Sequence, residues 1–298
     1  MKINGVVIDD TFAEAFPMKA TRIIITAQTV QWAYHSAISM TGFATSVLGC
    51  SCEAGIEKMI KPSETPDGRP GVSVMMFTMS SQGLIEALEV RAGQSVLTSP
   101  TSALFSGIEG GTRIPLGKEL RYFGDGFQTS EIIDGKLYWK IPVMDGEFIA
   151  EETTGLAEAI GGGNLLILAD STTGALKACE KAVEEIRKVP NVILPFPGGI
   201  VRSGSKIGSK YKNLSASTND TFCPTLKGIT KTELTSEIES VLEIVIDGLT
   251  GEDIKKAMRV AIEAFCSTGA SKHVKRISAG NYGGKLGQHH FHLHEMIA

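Results

Sequence analysis

The feature that most constrains the fold of this chain is an order of strand and helix patterns that occurs twice. In the first half, apolar and β-branched runs predict four strands, over 22–27, 44–48, 72–79 and 95–98. One helix-length segment, ending at about Thr41, lies between the first two of these strands, and a second, over 82–92, lies between the last two. The second half repeats this order, with strands predicted over 164–169, 192–194, 242–246 and 274–278. The sequence therefore predicts an α+β protein of two lobes, each a ferredoxin-like β-α-β-β-α-β sandwich, divided as 1–147 and 148–298.

The two helices of the second half carry apolar stripes at helical spacing. The first is predicted over 175–188, with its apolar face formed by Ala175, Leu176, Cys179, Ala182, Val183 and Ile186. In the second helix, Thr250 and Asp253 form the cap, and the stripe is Ile254, Ala257, Met258, Ala261 and Phe265. The segment 106–147 is rich in Gly and aromatic residues and fits neither unit. We expect an irregular inserted arm there, either joining the lobes or contacting another subunit.

Composition excludes several classes of function. The 298 residues carry 29 Lys and Arg against 33 Asp and Glu, a net charge of −4 without a block of one sign. Neither a nucleic acid nor a membrane surface is therefore expected as a partner. The N-terminus lacks a signal-peptide pattern and no apolar run reaches about 20 residues, so we expect a cytoplasmic protein. Five cysteines are an odd set and indicate reduced thiols.

The strongest local motif is the glycine-, hydroxyl- and lysine-rich segment 195–210, which follows a predicted strand. Its candidate ligand-binding residues are Gly198, Gly199, Ser203, Ser205, Lys206, Ser209 and Lys210. Exposed NH groups, hydroxyls and cations suit an anionic or carboxamide-rich ligand. The segment is not a phosphate-binding P-loop, because Ser205 stands where that motif requires Lys. The alternative is a Gly-rich turn with solvated lysines.

Glu243 is a carboxylate inside the apolar strand predicted over 242–246. Strand alternation places it on one face with Val241 and Val245, while Leu242, Ile244 and Ile246 share the other face. If partly buried, such a carboxyl has a raised pKa and can act as a general acid or base. The alternative is a Glu on a solvated face of the sheet.

A second Gly-rich loop, 278–287, follows the last predicted strand. Its candidate binding residues are Asn281, Tyr282 and Lys285. Because both Gly-rich loops follow strands of the same lobe, they are expected to converge and form a cleft. The alternative is a tight turn without a ligand.

Histidines near the C-terminus are not expected to bind a metal. His290, His292 and His294 share one face of an extended segment, but no residues of a supporting second shell are evident. Structural or solvated histidines are favoured. The C-x-C pair Cys50 and Cys52 likewise supports neither redox nor zinc chemistry.

Together these motifs resemble the formylmethanofuran:tetrahydromethanopterin formyltransferase family. The resemblance includes INGVVIDDTFAEAF at 3–16, PFPGGI at 195–200 and ISAGNYGGKLG at 277–287. Further matching segments are 41–46, 53–57, 64–71, 123–126, 216–220 and 243–246. These motifs extend over essentially the whole chain.

The resemblance implies a two-lobed homotetramer, a dimer of dimers. It implies reversible transfer of a formyl group between the amine nitrogen of methanofuran and N5 of tetrahydromethanopterin. These two carriers act as substrates, and no tightly bound cofactor or metal is implied. Glu243 matches the acidic residue that the family is thought to use in catalysis, and Asn219 lies within a matching motif.

Formyl transfer requires a tetrahedral intermediate, so an oxyanion must be stabilised and protons moved between two nitrogens. Glu243 is the predicted acid and base. Because both carriers bear carboxylates and tetrahydromethanopterin bears a phosphodiester, Lys206, Lys210 and Lys285 are the predicted contacts to their tails. Holding both carriers in one cleft supplies proximity.

Two alternatives remain open at the level of the sequence. Segments 211–219 and 223–231, with the His-rich tail, resemble the form found in methylotrophic bacteria, in which the transferase is one subunit of a formyltransferase/hydrolase complex. The chain is then a carrier-binding subunit whose partners are hydrolase or dehydrogenase-like subunits that release formate. A third interpretation, independent of the resemblance, is an unrelated acyl- or amino-acid-binding protein of the same fold.

Overall fold

A computed structural model describes residues 1–297 of the chain. The strands of the first half are β1 (Lys2–Ile3), β2 (Val6–Ile8), β3 (Phe12–Thr26), β4 (Glu53–Ile60), β5 (Gly71–Thr78), β6 (Ala103–Ser106), β7 (Thr112–Pro115), β8 (Thr129–Ile133), β9 (Lys136–Val143) and β10 (Gly146–Glu151). Those of the second half are β11 (Thr153–Ala169), β12 (Val192–Ile193), β13 (Ser205–Ile207), β14 (Ala216–Thr218), β15 (Ser240–Gly248), β16 (Val274–Ser278) and β17 (His289–His292). The helices are α1 (Val30–Thr41), α2 (Val47–Cys50), α3 (Ser81–Arg91), α4 (Gly117–Leu120), α5 (Thr172–Ile186) and α6 (Gly251–Phe265).

The chain divides into two compact units. The central unit comprises Pro17–Ala159, and the terminal unit comprises Met1–Phe16 together with the chain from Ile160 onward. The sequence-based division at 147/148 differs from these units, because residues 1–16 fold with the second half. Strand β3 changes unit after Phe16, and β11 changes unit after Ala159.

Each unit contains the predicted β-α-β-β-α-β arrangement. In the central unit the sheet order is β6-β3-β5-β4, with neighbouring strands antiparallel. In the terminal unit it is β16-β11-β15-β12, again antiparallel. Both orders are the 4-1-3-2 order of a ferredoxin-like sandwich, so the internal duplication is confirmed.

The helices α5 and α6 bury their apolar stripes against the sheet of the terminal unit. The predicted stripe of α6 is buried throughout, and Thr250 Oγ1 caps the helix by accepting from the backbone N–H of Asp253. The stripe of α5 is confirmed except at Leu176, which is 44% exposed. This packing builds a single apolar core between helices and sheet and leaves the opposite face of the sheet for other segments.

Two strands predicted in the first half are wrong. Ser46, within 44–48, caps the short helix α2, and the second strand is instead β4, which contains a bulge between Ile56 and Lys58. Residues 95–98 continue the helical turns after α3, and the fourth strand is β6. Ala44 and Val96 are buried in these places, but a helical turn rather than a strand follows or contains them, and Leu48 is 81% exposed.

The expected irregular arm is mostly regular structure. Strands β8, β9 and β10 form an antiparallel meander, and β10 pairs in parallel with β6. The turn between β8 and β9 is Asp134-Gly135, with both residues at positive φ, as a two-residue hairpin of the I′ type requires. The arm therefore extends the sheet of the central unit.

Within residues 1–297 no helix is both long enough and apolar enough to span a membrane. All five cysteines lie in this part of the chain and are free thiols.

Candidate functional site

Glu243 lies in the middle of β15, on the face of the sheet opposite α5 and α6. Its backbone is paired on one side with Leu166 of β11 and on the other with Val201, whose N–H donates to the Glu243 carbonyl at 2.7 Å. Leu242, Ile244 and Ile246 are buried, whereas Val241, Glu243 and Val245 are half-buried on the other face. The alternation predicted from the sequence is confirmed.

The Glu243 carboxyl has the electrostatic properties of an acid–base group. Burial raises its pKa from 4.5 to about 7. Within residues 1–297, its side chain has no hydrogen-bond or ion-pair partner that offsets this effect. A carboxyl with this pKa is close to half protonated at neutral pH and can both give and take a proton.

Tyr282, on the loop after β16, shares the surroundings of Glu243. Burial raises the pKa of its phenol, and the negative charges of Glu243 and then Glu14 raise it further. The ring lies 6.1 Å from that of Phe16, and 39% of the residue remains exposed. A neutral phenol can donate a hydrogen bond, so Tyr282 is suited to stabilise an oxyanion beside the Glu243 carboxyl.

A polar cavity of about 610 Å³ lies within the terminal unit. Five of the predicted binding residues line it, namely Ser205, Lys206, Asn219, Asn281 and Tyr282. The remaining lining residues are Asp9, Asp10, Thr11, Thr221, Phe222, Glu233, Arg276, Ser278 and Ala279. Residues of both Gly-rich segments therefore line one cavity, as predicted. Tyr282 lines this cavity and is also close enough to Glu243 to feel its charge.

Charge in the cavity wall is largely paired. The Arg276 guanidinium binds Asp9 through Nε, at 2.7 and 2.8 Å, and donates through Nη1 to the Glu233 carbonyl at 2.7 Å. Lys206 Nζ lies 2.6 Å from Asp220 and is about half exposed. Arg276 therefore connects two segments of the wall, while the Lys206 ammonium is accessible to a ligand anion.

Other predicted site residues lie outside the cavity lining. Gly198 and Gly199 form a turn with positive φ, and a Cβ on Gly199 would come within 2.8 Å of the Leu194 side chain, which indicates packing. Ser209 accepts from the Tyr211 N–H at 3.0 Å. Ser203, Lys210 and Lys285 do not contribute to the wall. Their roles stay predictions.

Sequence reasoning missed much of the cavity wall. Asp9, Asp10 and Thr11 follow β2, and Arg276 projects from β16, which pairs in parallel with β2. One signal was available: Arg276 is a charged residue inside the short strand 274–278. Its partner Asp9 is 267 residues away in the sequence, so only the fold reveals the pair.

The C-terminal histidines have neighbours other than a metal. The rings of His290 and His292 flank Phe12, with centroids 4.8 and 5.1 Å away. His294 Nε2 lies 2.9 Å from the Ile8 carbonyl and 3.2 Å from the Met1 amino group. Among the described residues, no cluster of three or more His, Cys, Asp or Glu side chains is arranged to hold a metal ion.

We expect Glu243→Gln to make the protein more stable relative to wild type as the pH rises. The unfolded carboxyl loses its proton near pH 4.5 and the folded one near pH 7, so wild-type stability falls between these values. The free energy of unfolding of the variant minus that of wild type should therefore be up to about 3 kcal/mol larger at pH 8 than at pH 4. Urea unfolding at both pH values measures this difference, and an equal difference at the two pH values would show that Glu243 is not desolvated.

A carboxyl with a pKa near 7 and a phenol at the wall of a polar cavity are groups of the kind that an acid–base enzyme uses. A model of the formylmethanofuran-tetrahydromethanopterin formyltransferase family matches residues 1–143, and one of the proximal lobe of the same family matches 146–296. The chain belongs to this family.

Individual relatives agree over the full length. The formylmethanofuran–tetrahydromethanopterin formyltransferase of Methylococcus capsulatus is 68% identical, with 100% of both chains covered. The solved structure of the Methanosarcina barkeri formyltransferase is 50% identical, with 99% of this chain and 100% of that one covered and a TM-score of 0.94. The formyltransferase/hydrolase complex of Methylorubrum extorquens, solved with methylofuran, contains a chain 49% identical, with a TM-score of 0.97 and 100% and 99% coverage.

Proposed function

We propose that this protein reversibly transfers a formyl group between N-formylmethanofuran and N5 of tetrahydromethanopterin. The observation that carries the proposal is the Glu243 carboxyl, with a pKa near 7, whose charge acts on Tyr282, a residue that lines a polar cavity in a chain of this family. The family supplies the substrates, and the site supplies groups suited to the chemistry.

The reaction makes one C–N bond and breaks another. The pterin N5 attacks the formamide carbon, whose reactivity is low because the nitrogen lone pair is delocalised into the carbonyl. The resulting tetrahedral intermediate carries an oxyanion, and in our proposal the Tyr282 hydroxyl stabilises it by donating a hydrogen bond. Glu243 removes the proton from N5 and returns it to the departing amine nitrogen, so that protons and charge balance over one turnover.

This chemistry uses acid–base catalysis and hydrogen-bond donors throughout. Our proposal therefore includes no tightly bound cofactor, and the two carriers are the substrates. Free thiols at all five cysteines are consistent with the proposed cytoplasmic location. The proposed homotetramer is supported by exposed aromatic residues of the arm, Tyr122, Phe123 and Phe127, which are 62, 67 and 78% exposed.

Lys206 is proposed to bind an anionic group of a carrier tail. It lines the cavity and is about half exposed, whereas Lys210 and Lys285 lie outside the wall. We expect Lys206→Ala to raise the KM for one carrier about tenfold, equivalent to about 1.4 kcal/mol, with little change in kcat. Lys212→Ala, at an exposed lysine just after the segment 195–210 and outside the cavity lining, is the matched control and should leave KM unchanged. Equal effects of the two variants would remove the assignment.

A second candidate is a subunit of a formyltransferase/hydrolase complex. The chain of the Methylorubrum extorquens complex superimposes with a TM-score of 0.97, which supports this assembly. In such a complex the same transfer supplies a formylated carrier to hydrolase partners.

The test is to mix formylmethanofuran and tetrahydromethanopterin with the purified chain and follow the absorbance change of the pterin. Turnover by the chain alone supports the first candidate. Turnover that appears only when hydrolase subunits are added supports the second. Absence of transfer in both mixtures would contradict the proposed function.

A further inference from the structure

Glu14 is a buried carboxylate beneath the loop that carries Tyr282, and all its bonds go to that loop. Oε2 accepts from the backbone N–H groups of Tyr282 at 2.6 Å and Gly284 at 2.8 Å. Oε1 accepts from Leu286 at 2.6 Å and Gly287 at 2.7 Å. Only 1% of the residue is exposed.

These bonds hold a charge that would otherwise be costly to bury. Burial by itself raises the pKa of Glu14, but the four N–H donors outweigh it and lower the pKa to about 2. The carboxylate is therefore ionised throughout the neutral range, and its two oxygens are fully occupied. Glu14 is thus unavailable for proton transfer with a substrate.

Two glycines of the loop allow its backbone N–H groups to reach the Glu14 carboxylate. A Cβ on Gly287 would lie 2.4 Å from the Ala15 carbonyl oxygen, so only Gly can bring its N–H to Glu14. Gly284 has φ +70°, a left-handed conformation that lets its N–H point at the same carboxylate as its neighbours. Gly284 and Gly287 therefore allow the backbone to approach Glu14.

The start of the loop is held by two amides. Asn164 on β11 accepts from the Gly280 N–H at 2.7 Å and donates to its carbonyl at 3.2 Å. The Asn281 side chain donates to the Phe12 carbonyl and accepts from the Gly283 N–H, at 3.2 and 3.1 Å. The loop is thus held by polar bonds, of which Glu14 makes four.

We propose that Glu14 is a positioning residue for formyl transfer, which fixes the backbone of 282–287 and thereby holds the Tyr282 hydroxyl beside Glu243. The link is direct, because the Tyr282 N–H is itself one of the four donors. Tyr282 lines the cavity and is close enough to feel the charge of Glu243. The inference rests on the proposed function and assigns a role to a residue that does not touch the substrate.

The test replaces Glu14 by Gln, a side chain of the same size. One oxygen becomes an NH2 group, which faces two backbone N–H donors and cannot accept from them. We expect kcat to fall about 100-fold, with KM changed less than about threefold, because a displacement of about 1 Å in a catalytic group has this effect. Amide hydrogen exchange of 282–287 should accelerate at least about tenfold. The pH dependence of kcat should also shift, because the Glu243 charge, which helps to raise the pKa of Tyr282, would then act from a changed distance.

Asp170→Asn is the matched control. Asp170 is another carboxylate of the terminal unit with a pKa lowered to about 2, by Lys275 and His273, but it lies outside the cavity lining. It should lower stability without changing kcat, the pH profile or exchange in 282–287. If Glu14→Gln behaves in the same way as this control, Glu14 has only a structural role and the proposal is overturned.

If Glu14→Gln does not fold, Gly287→Ala displaces the same loop while keeping the Glu14 charge, and it should show the same loss of kcat and faster exchange. Normal kcat in a folded Gly287→Ala variant with accelerated exchange would overturn the proposal. Failure of the proposed function is distinguishable, because it abolishes formyl transfer by the wild type itself, whereas the exchange measurement does not depend on turnover.

Discussion

Replacement of Glu243 by Gln is expected to lower kcat for formyl transfer about 1000-fold, within the range that loss of a general acid–base group produces. Gln keeps the shape of the side chain but cannot take the proton from N5. The KM values should change little, because Glu243 moves its proton only as the transition state forms. Steady-state kinetics at pH 7 with both carriers measures the effect.

The pH profile identifies the role of this residue more specifically. With a pKa of about 7, Glu243 should impose a change of slope near pH 7 on the wild-type rate, and the change should be absent in Glu243→Gln. Glu263→Gln, an exposed carboxylate on α6, is the control and should match wild type. A variant that retains more than a tenth of the wild-type kcat would retire Glu243 as the acid–base group.

Arg276→Met is expected to weaken both stability and substrate binding, because it removes the bond between two segments of the cavity wall. The variant leaves Asp9 without its cation and the Glu233 carbonyl without a donor. Because the pair is about one-fifth exposed, we expect a loss of about 2 kcal/mol in the free energy of unfolding, below the value for a fully buried pair. The KM of the carrier that occupies the cavity should rise about tenfold.

Arg259→Met separates the two effects. Arg259 also donates to a carbonyl, that of Met296 at 2.6 Å, but it lies outside the cavity lining. It should lower stability modestly and leave KM unchanged. Urea unfolding measures the stability of both variants, and steady-state kinetics measures their KM values. An unchanged KM in Arg276→Met would show that the cavity is not a substrate site.

The duplicated fold was predictable because it depends on local patterns. Alternation in 242–246 and the stripe of α6 are set by which side chains face a common core, and both are confirmed. The strand β4 was missed because its bulge and charged residues interrupt the period of two. The meander of the arm was missed although Asp134-Gly135, a strong hairpin signal, was present in the sequence.

The candidate site was only partly predictable. Motifs rich in Gly, Ser and Lys led to Ser205, Lys206 and Tyr282, and an apolar strand context led to Glu243. Glu14 gave no such signal, because the sequence does not distinguish a buried Glu within the strand 12–26 from a solvated one. Only the fold shows that β17 pairs with this strand and that the loop before β17 packs against Glu14. Ionic and backbone partners more than 260 residues apart require the three-dimensional fold.

The central claim is that the formyl group passes directly from one carrier to the other at this site. The most direct measurement is NMR with ¹³C-formyl-labelled formylmethanofuran, tetrahydromethanopterin and the purified wild-type chain. We predict that the label moves to N5 of the pterin at a rate about 1000-fold faster than with Glu243→Gln, without accumulation of labelled formate. Label that stays on methanofuran, or that appears in formate before it appears on the pterin, would contradict the account.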